Sequence, residues 1–239
     1  VNELNGFISM LETGVKNSMT VKLDGLIMRT INNFTGQIIN SGQAMQKVNL
    51  LSEYNTATGQ TLTANKALLD KEFLKFASLV IKKYQARITK MSTLFNQGGK
   101  ARFTNVNDLH TVLLSDFADS AEVYLMSDTY HNDTVSLPQH ETVPYWQGSG
   151  TKYDFASISS IDVKINDGSK TAKEVKQSGI VGVMFDTNAL GVSNLNQRTT
   201  TAYNARAEFY TNFYKMDAGY FNDLNENFVV FYVADGAGK

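Results

Sequence analysis

The sequence predicts an α+β fold, on three observations. Apolar side chains recur at helical spacing through the opening residues and again from Ala77 to Ile88. Short strand patterns are scattered among the helices without the regular beat of a βαβ protein. The chain then closes on Phe228-Val229-Val230-Phe231-Tyr232-Val233, a run of aromatic and β-branched residues suited to a strand covered on both faces.

Leu4, Phe7, Ile8, Leu11 and Val15 form one helical stripe, and Leu23, Leu26, Ile27, Thr30, Ile31 and Phe34 a second. Together they predict helix over 3–35, with an interruption near 17–21 where Ser18 or Thr20 can cap a new start. Gly36 reads as the helix stop and Ile38-Ile39 as a short strand. Residues 40–59 are polar and mixed, with one helical patch from Val48 to Tyr54. Thr63 can cap a short helix over 64–69. Asp70 can cap the clearest helix, with Glu72 in its first turn and Ala77, Val80, Ile81, Tyr84 and Ile88 on its inner face.

Met91–Phe95 reads as a strand, Gly98-Gly99 as a loop and Leu109–Leu114 as a compact strand. Asp116–Met126 reads as helix with Phe117, Ala121, Tyr124 and Leu125 inward. Residues 127–157 hold both prolines and the single tryptophan, lack a period, and read as a long loop or irregular extension. Ile161, Val163 and Ile165 alternate with polar residues, and Asn166-Asp167-Gly168-Ser169 is a hairpin signal. Its polar return arm, 170–178, reads as a mobile tip, and Ile180–Phe185 as a buried strand. Ten of the 26 aromatics lie between Tyr203 and Tyr232. That density, with charges interleaved over 206–215, predicts a ribbon with one wet edge. Turns are expected at Asp217-Ala218-Gly219 and Asn222-Asp223-Leu224-Asn225. No internal repeat and no flexible linker is evident.

A chain of 239 residues can bury a sizeable core as one domain or two joined ones. Its 22 basic and 23 acidic side chains nearly cancel, which argues against a protein built mainly to neutralise nucleic-acid phosphates. There is no cysteine, hence neither a disulfide frame nor thiolate chemistry. No window approaches 18 consecutive apolar residues, so no membrane-spanning helix is expected. The chain opens on Val, without a secretion-signal pattern and already in helix, so a missing N-terminal part is expected.

Candidate chemistry is sparse. His110, His131 and His140 are the only histidines, and the pairs Asp108/His110 and His131/Asp133 match no recognised metal-ligand spacing. On its apolar strand His110 reads better as a structural imidazole. Asp116, Asp119 and Glu122 read as an acidic helix start rather than an acid/base pair. Gly148-Ser149-Gly150 is no nucleophile elbow, and Gly98-Gly99 and Gly179-x-x-Gly182 complete neither phosphate-binding glycine motif. The sequons at Asn33-Phe34-Thr35 and Asn132-Asp133-Thr134 mean nothing without secretion. The terminal aromatics could stack bases, but Arg206 and Lys215 are outnumbered by Glu208, Asp217, Asp223 and Glu226, which favours core and interface packing. No catalytic, cofactor-binding or metal-binding residue is assigned.

Three blocks carry a resemblance: Gly182-Val183-Met184-Phe185-Asp186-Thr187-Asn188-Ala189-Leu190-Gly191-Val192, then Arg198-Thr199-Thr200-Thr201-Ala202-Tyr203-Asn204-Ala205, then Asp217 through Phe231. With Leu109–Leu125 and Val143-Pro144-Tyr145-Trp146-Gln147-Gly148, the sequence resembles the major capsid proteins of tailed bacteriophages, which have the HK97-like fold. The resemblance implies a long spine helix and a β-ribbon in a peripheral domain, 1–40 with 196–223. It implies an axial domain with a central mixed sheet, 41–195 with 224–239.

The N-terminal arm and extended loop of the family would be absent, and no cross-linking residue is carried over. The implied partners are copies of the chain in hexamers and pentamers, with scaffold, portal and head-decoration proteins. The implied shell encloses DNA without reading its sequence, touches no membrane, and is a virion capsid assembled in bacterial cytoplasm, phage or prophage in origin. Near-zero net charge suits a closed lattice, and without its straps this piece is expected to purify as a monomer or small oligomer. The alternatives are an encapsulin-like compartment shell, a metal-dependent hydrolase using His110 and His131, and a single-strand-binding module.

Overall fold

The computed structural model describes residues 2–127, 137–146, 159–166 and 171–235. It divides into two units, residues 1–30 with 191–221 and residues 31–190 with 222–239.

Helix α1, Asn2–Ser41, contributes to both units. It runs without the interruption expected near 17–21. Thr20 does not cap a new start there: its hydroxyl donates back to the Lys16 carbonyl (3.2 Å), as Thr13 does to Ser9 (2.8 Å). Ile38 and Ile39 are helical rather than a strand, because Ile38 is fully buried on the helix face that carries Ile31 and Phe34. Gly36 is not the stop. The glycine that ends the helix is Gly42, whose N–H closes on the Ile38 carbonyl at 2.7 Å.

The larger unit is built on a five-stranded mixed sheet. Its strands are β1 (Lys47–Asn49), β2 (Leu109–Leu114), β3 (Glu141–Val143), β6 (Ile180–Asp186) and β9 (Phe228–Tyr232), in the spatial order β1-β9-β6-β2-β3. β6 pairs antiparallel with β2 and β9, while β1 joins β9 and β3 joins β2 in parallel. The closing strand thus lies inside the sheet, as its composition predicts. Alternate residues face opposite sides, and both sides are covered. Phe228 packs on Phe34 of α1 (centroids 4.3 Å), and Phe231 meets the Tyr84 ring edge-on at 5.6 Å.

Tyr84 belongs to α4, Lys71–Ile88, which Asp70 caps by accepting from the Phe73 N–H (2.8 Å). Before it come α2, Leu50–Thr58, capped by Asn49, and the single turn α3, Ala64–Ala67, whose Thr63 makes no side-chain cap bond. Helix α5, Ser115–Ser127, follows β2 directly. Residues 91–95 form no strand. They contribute one bridge, Ser92 to Arg102, and the Phe95 carbonyl that accepts from Phe228 N–H (2.9 Å) and Gln46 Nε2 (3.0 Å). Trp146 is buried, with its indole N–H on the Ile180 carbonyl.

A separate hairpin pairs β4, Ile161–Ile165, with β5, Lys173–Gln177. The return arm is therefore a strand from residue 173, because Val175 reaches across to Val163 and is buried with it. The turn residues 167–170 lie outside the described residues.

The smaller unit pairs β7, Leu190–Asn204, with β8, Phe209–Asn222, alongside residues 2–30 of α1. The ribbon turns at 205–208, where Asn204 Oδ1 accepts from the N–H groups of Arg206 and Ala207 and Glu208 takes a positive φ of 52°. Asp217-Ala218-Gly219, expected to turn, lies inside β8. Cross-strand partners hold it there: Asp217 pairs with Arg198 (2.6 Å), and Gly219 lies against Ser193.

Candidate functional site

Among the described residues, those singled out for chemistry do not converge. His110, read as a structural imidazole, is exposed at the start of β2 with its ring stacked on Phe185 (centroids 5.7 Å). Only the last four residues of that strand are buried. Asp108 serves its loop: its carbonyl accepts from both the Thr187 N–H (2.9 Å) and hydroxyl (2.8 Å). His140 Nδ1 lies 2.8 Å from the Pro138 carbonyl, and His131, Asp133 and Gly148-Ser149-Gly150 lie outside the described residues. Asp116, Asp119 and Glu122 are all exposed on α5. Among the described residues no three His, Asp or Glu side chains gather in a way that could hold a metal ion. No described helix is long and apolar enough to cross a membrane.

A cleft of about 290 Å³ is lined by Leu51, Ser52, Asn55, Leu62 and Asp235. Asn55 is spent on the Leu62 backbone (2.9 and 3.0 Å), and Asp235 accepts from the Ala64 N–H at 2.7 Å.

What the fold does present is an unusual amount of exposed apolar surface on the smaller unit. Phe7, Ile8, Met10, Leu11 and Val21 of α1 are exposed, and so are Tyr203, Phe209, Tyr210, Phe213, Tyr220 and Phe221 of the ribbon. The terminal aromatic block thus splits. Phe228 and Phe231 are core at 0% exposure, whereas Tyr210 stands 71% exposed. The two outcomes differ because β9 has strands on both sides and layers on both faces, while a two-stranded ribbon has neither.

The ribbon carries a bulge in β7, and its rings divide between the two faces of β8. Near its base Gly191 lies against the Phe221 ring and Ser193 against Gly219. Further out Gln197 meets Met216, Thr201 donates to Asn212 (2.8 Å), and Tyr203 meets Tyr210 (centroids 4.8 Å). From Ser193 to Gln197 β7 advances four residues, while β8 advances three from Gly219 to Met216. β7 therefore holds one extra residue, and Asn196 with φ 56° marks it. With period-two alternation, Phe209, Phe213 and Phe221 share one face of β8, and Tyr210, Tyr214 and Tyr220 share the other. Tyr214 sets its hydroxyl 3.4 Å from Glu12 Oε1, so the tyrosine face is the one toward α1. The phenylalanine face points away, with Lys215 Nζ 6.0 Å from the Phe213 ring.

The sequence profile of the Phi29-like phage major capsid proteins matches residues 1–232. The chain belongs to that family. A chain in the capsid structure of Staphylococcus phage Andhra superposes with a TM-score of 0.52 at 14% identity, over 96% of this chain and 65% of the other. A chain in the structure of the head fiber and inner core protein gp22 of native bacteriophage P68 gives 0.51 at 10% identity, over 94% and 64%. These likenesses bear on the fold. The chain spans somewhat under two thirds of the length of either. No curated protein sequence matches it.

The α+β class with its long helix, ribbon and mixed sheet, and the resemblance to a phage major capsid protein, are both borne out. The family is one of structural shell proteins, and neither the encapsulin-like nor the hydrolase alternative gains support from it. The charges interleaved with aromatics over 206–215 predict a ribbon with one wet edge, and the exposure goes further than that, because rings on both faces of β8 stand in solvent.

Proposed function

We propose that this chain is the structural subunit of an icosahedral phage head, assembling with copies of itself into the virion shell that encloses DNA. The carrying observation is the smaller unit, whose rings are arranged for a partner and not for a core. Three phenylalanines, each about half exposed, lie on one ribbon face. Burying the remaining half of a ring removes roughly 100 Å² from water, worth about 2–3 kcal/mol at ~25 cal/mol/Å². Exposed ion pairs such as Arg198–Asp217 supply about 1 kcal/mol at most. Apolar docking of this face therefore dominates the available contacts.

On this reading the unit of 1–30 with 191–221 is the peripheral domain and the larger one the axial domain, and the ribbon's two unpaired edges are covered in the assembled lattice. Hexamers and pentamers, scaffold and portal partners, and assembly in a bacterial cytoplasm follow from the same reading. The test is electron microscopy of the full-length gene product, wild type against F209S/F213S. Closed shells from the wild type, and a variant that melts normally but forms few or none, support the assignment. Shells formed equally well by the variant would remove the phenylalanine face from it, and a wild type that never forms shells, alone or together with the products of neighbouring genes, would remove the assignment itself.

A further inference from the structure

The near-neutral charge of the chain conceals a segregated distribution. Residues 73–107 carry seven basic side chains and no acidic one, so the rest of the chain holds 15 basic against 23 acidic. The seven are Lys75, Lys82, Lys83, Arg87, Lys90, Lys100 and Arg102.

The fold gives this segment a defined shape. α4 buries Phe73, Ala77, Val80, Ile81, Tyr84 and Ile88 against the core, so the opposite side, with Lys75, Leu79, Lys82, Lys83, Ala86 and Arg87, is left toward solvent. Lys90 follows directly, in an arm that returns to the helix end where the Thr104 N–H bonds the Ile88 carbonyl (3.1 Å). Two of the seven are neutralised locally, Lys75 by Glu72 (3.4 Å) and Arg102 by Glu226 (3.2 Å). Among the described residues no ion pair involves Lys82, Lys83, Lys90 or Lys100. Of the carboxylates around it, Glu53 is close to Arg87 and Lys83 and Asp223 is close to Lys100, while α5, which packs against α4, carries exposed Asp116, Asp119 and Glu122. Burial pushes the Glu53 carboxyl up from its ordinary range, against the opposing pull of Arg87 and Lys83.

We infer that the exposed face of α4, with Lys82, Lys83, Arg87 and Lys90, takes the phosphate backbone of double-stranded DNA, and so marks the side of the subunit turned to the packaged genome. The inference rests on the capsid reading. An acidic protein partner is the competing occupant, and composition decides against it. Lysine is depleted at protein–protein interfaces, which favour arginine and aromatic anchors, and this face has three lysines to one arginine, with Leu79 the exposed large apolar side chain on α4 itself and Met91 the one beside Lys90. From Lys82 to Arg87 the helix cations span roughly 8 Å at 1.5 Å per residue, with Lys90 just past the helix end, against one duplex charge per ~1.7 Å. Flexible lysine point charges at that density suit a backbone contacted in any register, without sequence readout.

The test is titration of the purified 239-residue chain with a fluorescent random-sequence duplex at 50–200 mM salt, beside K82Q/K83Q/K90Q and the control K16Q/K22Q/K215Q. The control lysines are exposed elsewhere. The expected result is sub-millimolar to micromolar binding that weakens with salt. The first variant should bind roughly tenfold or more weakly with a log–log salt slope shallower by about 2–3, and the control like wild type. Absent binding at 50 mM salt, or equal loss in both variants, overturns the proposal. Polyglutamate bound more tightly than duplex through the same lysines would reassign the face to an acidic protein. Shell formation by the full-length product is read separately, so a failed titration beside normal shells leaves the capsid reading intact.

Discussion

Gly36 of α1 lies directly under Val163 of β4, so close that a Cβ on the glycine would collide with a valine methyl. Both residues are packed in the larger unit, Val163 at 1% exposure. Gly36→Ala should therefore destabilise by about 1–3 kcal/mol through overpacking. Gly14, in the same helix with nothing near its Cβ position, should behave oppositely. Gly14→Ala should stabilise by about 0.5–1 kcal/mol, the ordinary gain for an exposed helix. Denaturant midpoints of the two variants check the pair, and a stabilised Gly36→Ala would disprove the close approach.

Trp146, the single tryptophan, donates its indole N–H to the Ile180 carbonyl at 2.9 Å and is wholly buried. Its emission should be blue-shifted in the native protein and move red on unfolding. Trp146→Phe should cost about 1–3 kcal/mol, because the carbonyl of a buried strand loses its donor. The neighbouring bond from Asn32 Nδ2 goes to the Trp146 backbone carbonyl (2.8 Å) and survives the change.

Gly179 adopts φ +71° and presses against the Val233 carbonyl, where the backbone of β6 meets the end of β9. Any side chain there meets both a disfavoured conformation and an unyielding backbone atom. Gly179→Ala should cost at least about 2 kcal/mol, read as a lowered melting temperature.

Asp223 Oδ1 accepts from the Asn225 N–H and Nδ2, both at 2.9 Å, and these bonds hold its pKa below the usual carboxylate range, with help from Lys100 and Arg102. A carboxyl whose folded value is depressed contributes stability above its unfolded value and loses it as pH falls toward the folded one. Melting temperatures of wild type and Asp223→Ala should therefore differ at pH 7 and converge below about pH 4. A gap that persists unchanged into acid would show that the carboxylate's charge is not involved.

The amphipathic α4 with its Asp70 cap, the strand Leu109–Leu114, the alternating 161–165 strand and the closing block Phe228–Tyr232 were all legible because each is fixed by local periodicity or capping chemistry. Gly36 was misleading for a clear reason. A glycine inside a helix and one that ends it look alike in sequence, and only Val163, more than a hundred residues away, tells them apart. The same applies to Asp217-Ala218-Gly219, whose turn composition yields to cross-strand pairing with Arg198 and Ser193.

Sequence alone determined the α+β class, the long opening helix, the buried final strand and the likeness to a phage shell protein. It also carries the basic run of 73–107. Only tertiary structure decided which aromatics are core and which are surface. Phe213 and Phe231 have the same hydrophobicity, and they differ in whether neighbouring strands and layers exist to take them out of water. Exposure depends on what surrounds a residue, which its own local pattern does not encode.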